Sequence, residues 1–244
     1  ELAMEGGAPA SRVHVIPNGF DPDLIPPVNR HVRRVSGSQD TRFFTIGFVG
    51  SLKPWHGIED LCRAFRFLAR RHGAARLLLV GAGPMSDWVK RFALRSHLQD
   101  RIELTGKVPH SAVAGHLSRF HMAVAPYPQR ERFYFSPLKL FEYMGSGLPV
   151  MATRTGQMEE ILQHGRTAWL VPPGDPAALA TGMARLAGDP ALRRRLGQAA
   201  RRVAFSRYRW QDVALRIMRL AGQRRPVCSV RDRAYPRSRR QEAV

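Results

Sequence analysis

The 244-residue chain carries 39 Lys and Arg against 19 Asp and Glu, a formal net charge of +20. Its hydrophobic content of 44% excludes wholesale disorder, and its two cysteines exclude a disulfide framework or a four-thiolate zinc site. No apolar run approaches the roughly 20 residues of a membrane-spanning helix. The cations are almost all arginine, with lysine only at Lys53, Lys90, Lys107 and Lys139. Such charge suits nucleic acid, an anionic membrane surface or a phosphate-bearing ligand. No recognition helix or aromatic platform accompanies it, so specific nucleic-acid binding is not expected, whereas peripheral contact with a membrane stays open. The chain opens on Glu1-Leu2-Ala3-Met4 without a charged start, apolar stretch and cleavage site. That opening points to a cytoplasmic protein or one held at the inner membrane face.

Short apolar runs at 13–16, 43–49, 76–80, 101–104, 122–125, 148–152 and 168–171 read as strands. They are rich in branched residues and lack polar alternation, as strands buried on both faces of a parallel sheet do. Helical spacing falls between them. Ile58, Leu61, Cys62, Phe65 and Leu68 form one stripe, opposed by Arg63, Arg66 and Arg70; Trp88, Val89 and Phe92 form a second, and Val113 and Leu117 a third. Asp175-Pro176 and Asp189-Pro190 each read as an N-cap followed by proline at the first helical position. A last helix carries Trp210, Val213, Ile217 and Leu220. Strand–helix alternation with short loops predicts an α/β fold with a doubly wound, Rossmann-like parallel sheet, ligands binding at the strand carboxyl ends. Residues 1–40 read as a lead-in strand and linker, 41–222 as the folded domain and 223–244 as a basic disordered tail.

Three segments carry chemistry. Gly50-Ser51-Leu52-Lys53-Pro54-Trp55-His56-Gly57 follows a strand and precedes a helix, so Gly50 admits a ligand close to the backbone while Lys53 and His56 add charge or donors. Its spacing is neither GxGxxG nor a Walker A loop. Gly81-Ala82-Gly83-Pro84, at the next strand end, leaves room for a nucleotide. At Ser136-Pro137-Leu138-Lys139-Leu140-Phe141-Glu142, a turn opens a helix whose first N–H groups can hold a diphosphate. Lys139 lies in the first turn, where a cation opposes the helix dipole and an anion would offset the cost. Glu142 stands one turn on, able to accept hydrogen bonds from a ribose diol. Read as ordinary surface, the same segment is a Lys–Glu pair on a helix. Cys62 lies in a helix stripe and Cys228 in the tail, neither resembling a nucleophile, and His110 reads as a helix cap. No cluster of His, Asp and Cys has metal-ligand spacing, so no metal and no cofactor are expected.

Together, Val15-Ile16-Pro17-Asn18-Gly19-Phe20-Asp21, the Gly50–Gly57 loop, Gly81-Ala82-Gly83-Pro84, Leu138 to Met144 with Gly147-Leu148-Pro149-Val150, and Leu170-Val171-Pro172-Pro173-Gly174-Asp175 resemble the family 4 glycosyltransferases. Those are retaining enzymes of the two-Rossmann GT-B architecture, and the resemblance, over about residues 12–220, is to the C-terminal, donor-binding half. It implies a nucleotide-diphosphate sugar as donor, bound without metal, and an acceptor domain missing from this chain or supplied separately. In the family, an Arg and a Lys of the first loop meet the diphosphate; here Ser51 and His56 stand there, with Lys53 as a substitute. Of the family's Glu-x7-Glu pair, Glu142 matches the second, which meets the ribose. Tyr134 falls at the first, with Glu131 nearby, so Glu131 and Lys139 are the candidates for a catalytic role. Ser136, Pro137, Leu138 and Lys139 would hold the phosphates, Lys107 and Val108 would border the base, and Tyr127 would line the cleft. The Ser51 and His56 departures leave a second reading, an inactive nucleotide-binding module.

Overall fold

The computed structural model describes residues 6–28, 43–129 and 136–222. Its six strands are β1 (Phe44–Val49), β2 (Ala75–Val80), β3 (Ile102–Leu104), β4 (Met122–Ala125), β5 (Val150–Thr153) and β6 (Ala168–Val171). All pair in parallel, in the order β3-β2-β1-β4-β5-β6. This is the doubly wound order, with the chain reversing direction across the sheet between β1 and β4. The expected fold class holds.

Eight α-helices lie among the described residues: α1 (Ile58–Arg71), α2 (Ser86–Arg95), α3 (Val113–Arg119), α4 (Leu138–Gly145), α5 (Gln157–Ile161), α6 (Pro176–Gly188), α7 (Pro190–Arg207) and α8 (Trp210–Leu220). The stripe of α1 is wholly buried against the sheet, in one core cluster with Val89 of α2 and Leu179, Met183 and Leu186 of α6. Each such side chain contributes about 1.5–3 kcal/mol by leaving water. The opposite sheet face buries Val113 and Leu117 of α3 and Leu140, Phe141 and Met144 of α4. Helix α7 joins both clusters, through Leu192 and Leu196 at one end and Ala200 and Ala204 at the other. The two Asp-Pro starts behave as read: Asp175 accepts from the Ala178 N–H and Asp189 from the Leu192 N–H, both at 2.8 Å.

The strand expected at 13–16 does not form. These residues run as irregular chain, with Val15 62% exposed and no strand paired with them among the described residues. An apolar run alone cannot distinguish a sheet strand from an extended strap. The strap proper is Pro17 to Phe20. The Phe20 N–H donates to the Tyr208 carbonyl at 2.9 Å, and the Trp210 N–H donates to the Phe20 carbonyl at 3.1 Å. The Phe20 ring then packs on Gly145, where an added Cβ would come within 2.3 Å of it. β5 starts at Val150 rather than Leu148, because Pro149 has no N–H to give the ladder. The short helix α5 went unread. Residues 29–40 of the expected linker, the tail at 223–244 and Glu131 and Tyr134 lie outside the described residues.

Candidate functional site

A cleft of about 370 Å³ opens at the carboxyl ends of β1 and β4, where the sheet order reverses. Gly50, Ser51, His56, Tyr127, Ser136, Pro137, Leu138, Lys139 and Glu142 line it together, so nine of the residues read from sequence converge. Val49, His110 and Val113 complete the lining.

Helix α4 builds one wall. From Lys139 to Gly145 every residue is buried, so its position is fixed on all sides. Val49, the last residue of β1, donates its N–H to the Tyr143 hydroxyl at 2.7 Å, tying the helix to the strand end. At the other end Arg201 donates to the Gly145 carbonyl at 2.6 Å, satisfying an orphan acceptor of the last turn. The first bond of the helix runs from the Leu140 N–H to the Pro137 carbonyl, leaving the N–H groups of Leu138 and Lys139 ahead of it without intrahelical partners.

Lys139 is only 8% exposed, and its Nζ has no hydrogen-bond partner among the described residues. The ammonium rests on aromatic faces instead, 4.1 Å from the Phe48 ring centre and 5.4 Å from that of Tyr127. Gly50 allows this. Its φ is +140°, and a Cβ there would sit 2.7 Å from Nζ. Burial pushes the Lys139 ammonium down to about 7, with nearby Glu142 opposing the shift. The amine is thus buried in the first turn of a helix and borders the cleft.

Glu142 is 5% exposed, and its Oε1 accepts from the His110 Nε2 at 2.7 Å. His110 was read as a helix cap. It opens the 3₁₀ turn His110–Ala112, whose N-cap position is Pro109, and its ring reaches across the chain to Glu142. His56 hydrogen-bonds through Nδ1 to the Ser51 carbonyl and meets Tyr127 edge-on at 5.6 Å. Ser136 is held from outside the cleft. Its hydroxyl accepts from the Asn18 N–H at 2.9 Å, and its carbonyl from the Asn18 side-chain amide at 2.8 Å. A hydroxyl that accepts one bond keeps its own proton to donate. Asn18 lies within the Val15 to Asp21 motif, but nothing in its local sequence pairs it with a residue 118 positions on.

Five of the expected residues stand off this cleft. Lys53 lies over the Trp55 ring at 5.3 Å, and Lys107 is exposed. Val108 packs against the second core cluster. Gly81 and Gly83 back the Gly50 loop: a Cβ at Gly81 would lie 2.2 Å from the Gly50 carbonyl oxygen, and one at Gly83 2.6 Å from the Leu52 backbone. These glycines shape the loop that borders the cleft. Cys62 is buried, which pushes its thiol up and keeps it unreactive. Among the described residues no group of three or more His, Cys, Asp or Glu could hold a metal ion, and no helix is long and apolar enough to cross a membrane.

A doubly wound parallel sheet with a cleft and a helix start at its switch point is the Rossmann-like α/β class. Within that class the chain belongs to the Glycosyl transferases group 1 family, whose model matches residues 44–189. It is 30% identical over 165 residues to the N-acetyl-alpha-D-glucosaminyl L-malate synthase of Bacillus anthracis, covering 68% of this chain and 42% of that protein. It is 27% identical over 216 residues to a glycogen synthase of Mycobacterium tuberculosis, covering 88% and 49%. Among solved structures, sucrose-phosphate synthase from Thermosynechococcus elongatus superposes with a TM-score of 0.74 at 27% identity, over 86% of this chain and 52% of that one. HepE of Anabaena in complex with UDP-glucose shares the fold, with a TM-score of 0.75 at 23% identity over 90% and 60%. The chain thus spans about half the length of the relatives it matches.

Proposed function

We propose that this chain is the donor-binding half of a retaining, family 4 glycosyltransferase, holding a nucleotide-diphosphate sugar in the α4 cleft. The buried Lys139 ammonium, without a hydrogen-bond partner among the described residues, carries the reading. A cation there opposes the helix dipole and has lost its water; a diphosphate supplies the missing partner to both the ammonium and the first N–H groups of α4. In this reading the leaving diphosphate is neutralised by Lys139, the helix start and the Ser136 hydroxyl, so no metal is required. Glu142 takes the ribose diol. The structures of HepE with UDP and UDP-glucose support the ligand class.

Transfer needs an acceptor held in line with the donor, a proximity contribution of roughly 7–11 kcal/mol of barrier lowering. Coverage of about half of each relative supports a second domain in that role. The 244 residues alone would then bind donor without transferring sugar at an enzyme-like rate. A cytoplasmic site of action, with peripheral contact between the arginine-rich surface and an anionic membrane, belongs to the same proposal. The test is calorimetry of the chain with UDP, GDP and ADP, with and without EDTA, followed by a radiolabelled-donor assay. Binding of one nucleotide unaffected by EDTA is expected. Binding of none, or binding abolished by EDTA, overturns the proposal, and robust turnover by the chain alone overturns the need for a second domain.

A further inference from the structure

Glu142 is a buried carboxylate, and such a group needs donors to offset its lost hydration. Among the described residues its side-chain hydrogen bond comes from His110, 32 positions earlier. The ring is placed by a rigid turn: Pro109 precedes it at φ −66°, the Ala112 N–H closes on the Pro109 carbonyl at 3.0 Å, and Val113 anchors the turn in the core. The imidazole is half-exposed and borders the same cleft as the carboxylate. The bond occupies Oε1, leaving Oε2 as the less engaged acceptor.

We propose that His110 is a positioning residue: by donating from Nε2 to Oε1 it fixes the Glu142 carboxylate so that the other oxygen reads the ribose hydroxyls of the bound nucleotide. The assignment rests on the donor reading above, and adds to it the group that makes the carboxylate discriminating. A carboxylate free to rotate still repels or attracts charge, but it loses the fixed geometry that separates a ligand with hydroxyls from one without. The imidazole acts through Glu142, so its effect must vanish when Glu142 is replaced.

The experiment measures affinity for ADP, GDP and UDP and for the 2′,3′-dideoxy form of each, using the full chain. The wild type is expected to prefer the ribose form of the nucleotide it binds best by about tenfold or more, as hydroxyl recognition in a buried site predicts. His110→Ala should reduce that preference to about threefold or less while leaving the dideoxy affinity unchanged. His110→Asn, which keeps a side-chain N–H, should recover part of it. In a Glu142→Leu background, His110→Ala should change nothing further, a coupling that a double-mutant cycle reads directly. An unchanged preference in both His110 variants, equal losses for ribose and dideoxy ligands, or the same loss in the Glu142→Leu background would overturn the assignment. Equal wild-type affinity for the two forms would overturn it as well, by removing Glu142 from the diol. Binding of none of the nucleotides by the wild type overturns the donor reading itself, a result distinct from all of these.

Discussion

Two clefts lie at opposite edges of the same sheet. The larger, about 520 Å³, sits at the amino ends of the strands, lined by Thr45, Arg76, Arg101, Glu103, Arg119 and His121 among others. Arg101 and Arg119 there are hydrogen-bonded, and Arg76 lies over the Phe43 ring at 3.9 Å. Arg101 donates to the carbonyls of Ala75, Ala69 and His72, closing the end of α1. Arg119, in the last turn of α3, holds Glu103 through two hydrogen bonds. His121 accepts from the Thr45 N–H at 3.0 Å. The smaller cleft, at the carboxyl ends, holds Lys139 at the start of α4 without a hydrogen-bond partner among the described residues. In a doubly wound fold every helix ends at one edge of the sheet and begins at the other. A cation at the first edge agrees with the helix dipole and stabilises the fold; a buried cation at the second opposes it, and in the proposed function an anion offsets that cost. Position relative to the helix ends, and not cleft size, separates the two.

The largest expected effect lies in ligand affinity. Lys139→Ala should weaken a nucleoside diphosphate by about 100-fold, the loss of one or two charge-assisted hydrogen bonds, and weaken the bare nucleoside little. Arg119→Ala at the other edge should change neither, as calorimetry would read. If both substitutions weakened the diphosphate equally, the contrast between the edges would fail.

The pH dependence sharpens the same contrast. The Lys139 amine is held near 7 in the empty cleft, and a bound diphosphate favours its charged form. Binding above pH 7 therefore takes up a proton, and affinity should fall by up to about tenfold per pH unit as pH rises from 7. Calorimetry in buffers of different ionisation enthalpy counts that proton, and Lys139→Met should abolish the uptake.

Stability should move in opposite directions at the two edges. Arg101→Ala removes three bonds to backbone carbonyls and should cost about 2–3 kcal/mol, with ligand affinity retained. Lys139→Met removes a buried charge and should stabilise the empty protein by about 1–3 kcal/mol at or below pH 7. The sign follows from the lowered ammonium. Between about 7 and its ordinary 10.5 the unfolded chain binds the extra proton, so wild-type stability rises with pH across that window and the cost is present in full below it. In the Lys139→Met variant this slope should disappear from denaturant titrations. The smallest effect belongs to Glu103→Gln, whose partly exposed pair with Arg119 should contribute at most about 1 kcal/mol.

What could be read in the sequence was whatever depends on local pattern. Branched apolar runs such as Leu77 to Val80 announce buried strands, and Asp189-Pro190 announces a helix start, because the physics of each is contained in a few adjacent residues. Lys139 in a first helical turn was legible for the same reason. The failures share a cause. Val15 and Ile16 look like a strand, yet a strand needs a neighbour that the run itself does not specify. Gly81 and Gly83 look like ligand-facing glycines, but what they meet is the Gly50–Leu52 backbone. His110 looks like a cap, and only the folded chain brings it to Glu142.

Asn18 binds Ser136 across 118 residues of chain. A contact of such sequence separation closes a very long loop, so its entropic cost must be met before it forms. The turn ahead of α4 is therefore held by a long-range contact, and α4 itself packs chiefly on α7, with β4 and β5 beside it. In refolding kinetics, Asn18→Ala should leave the folding limb of the chevron nearly unmoved and raise the unfolding rate, the signature of a contact made after the rate-limiting step.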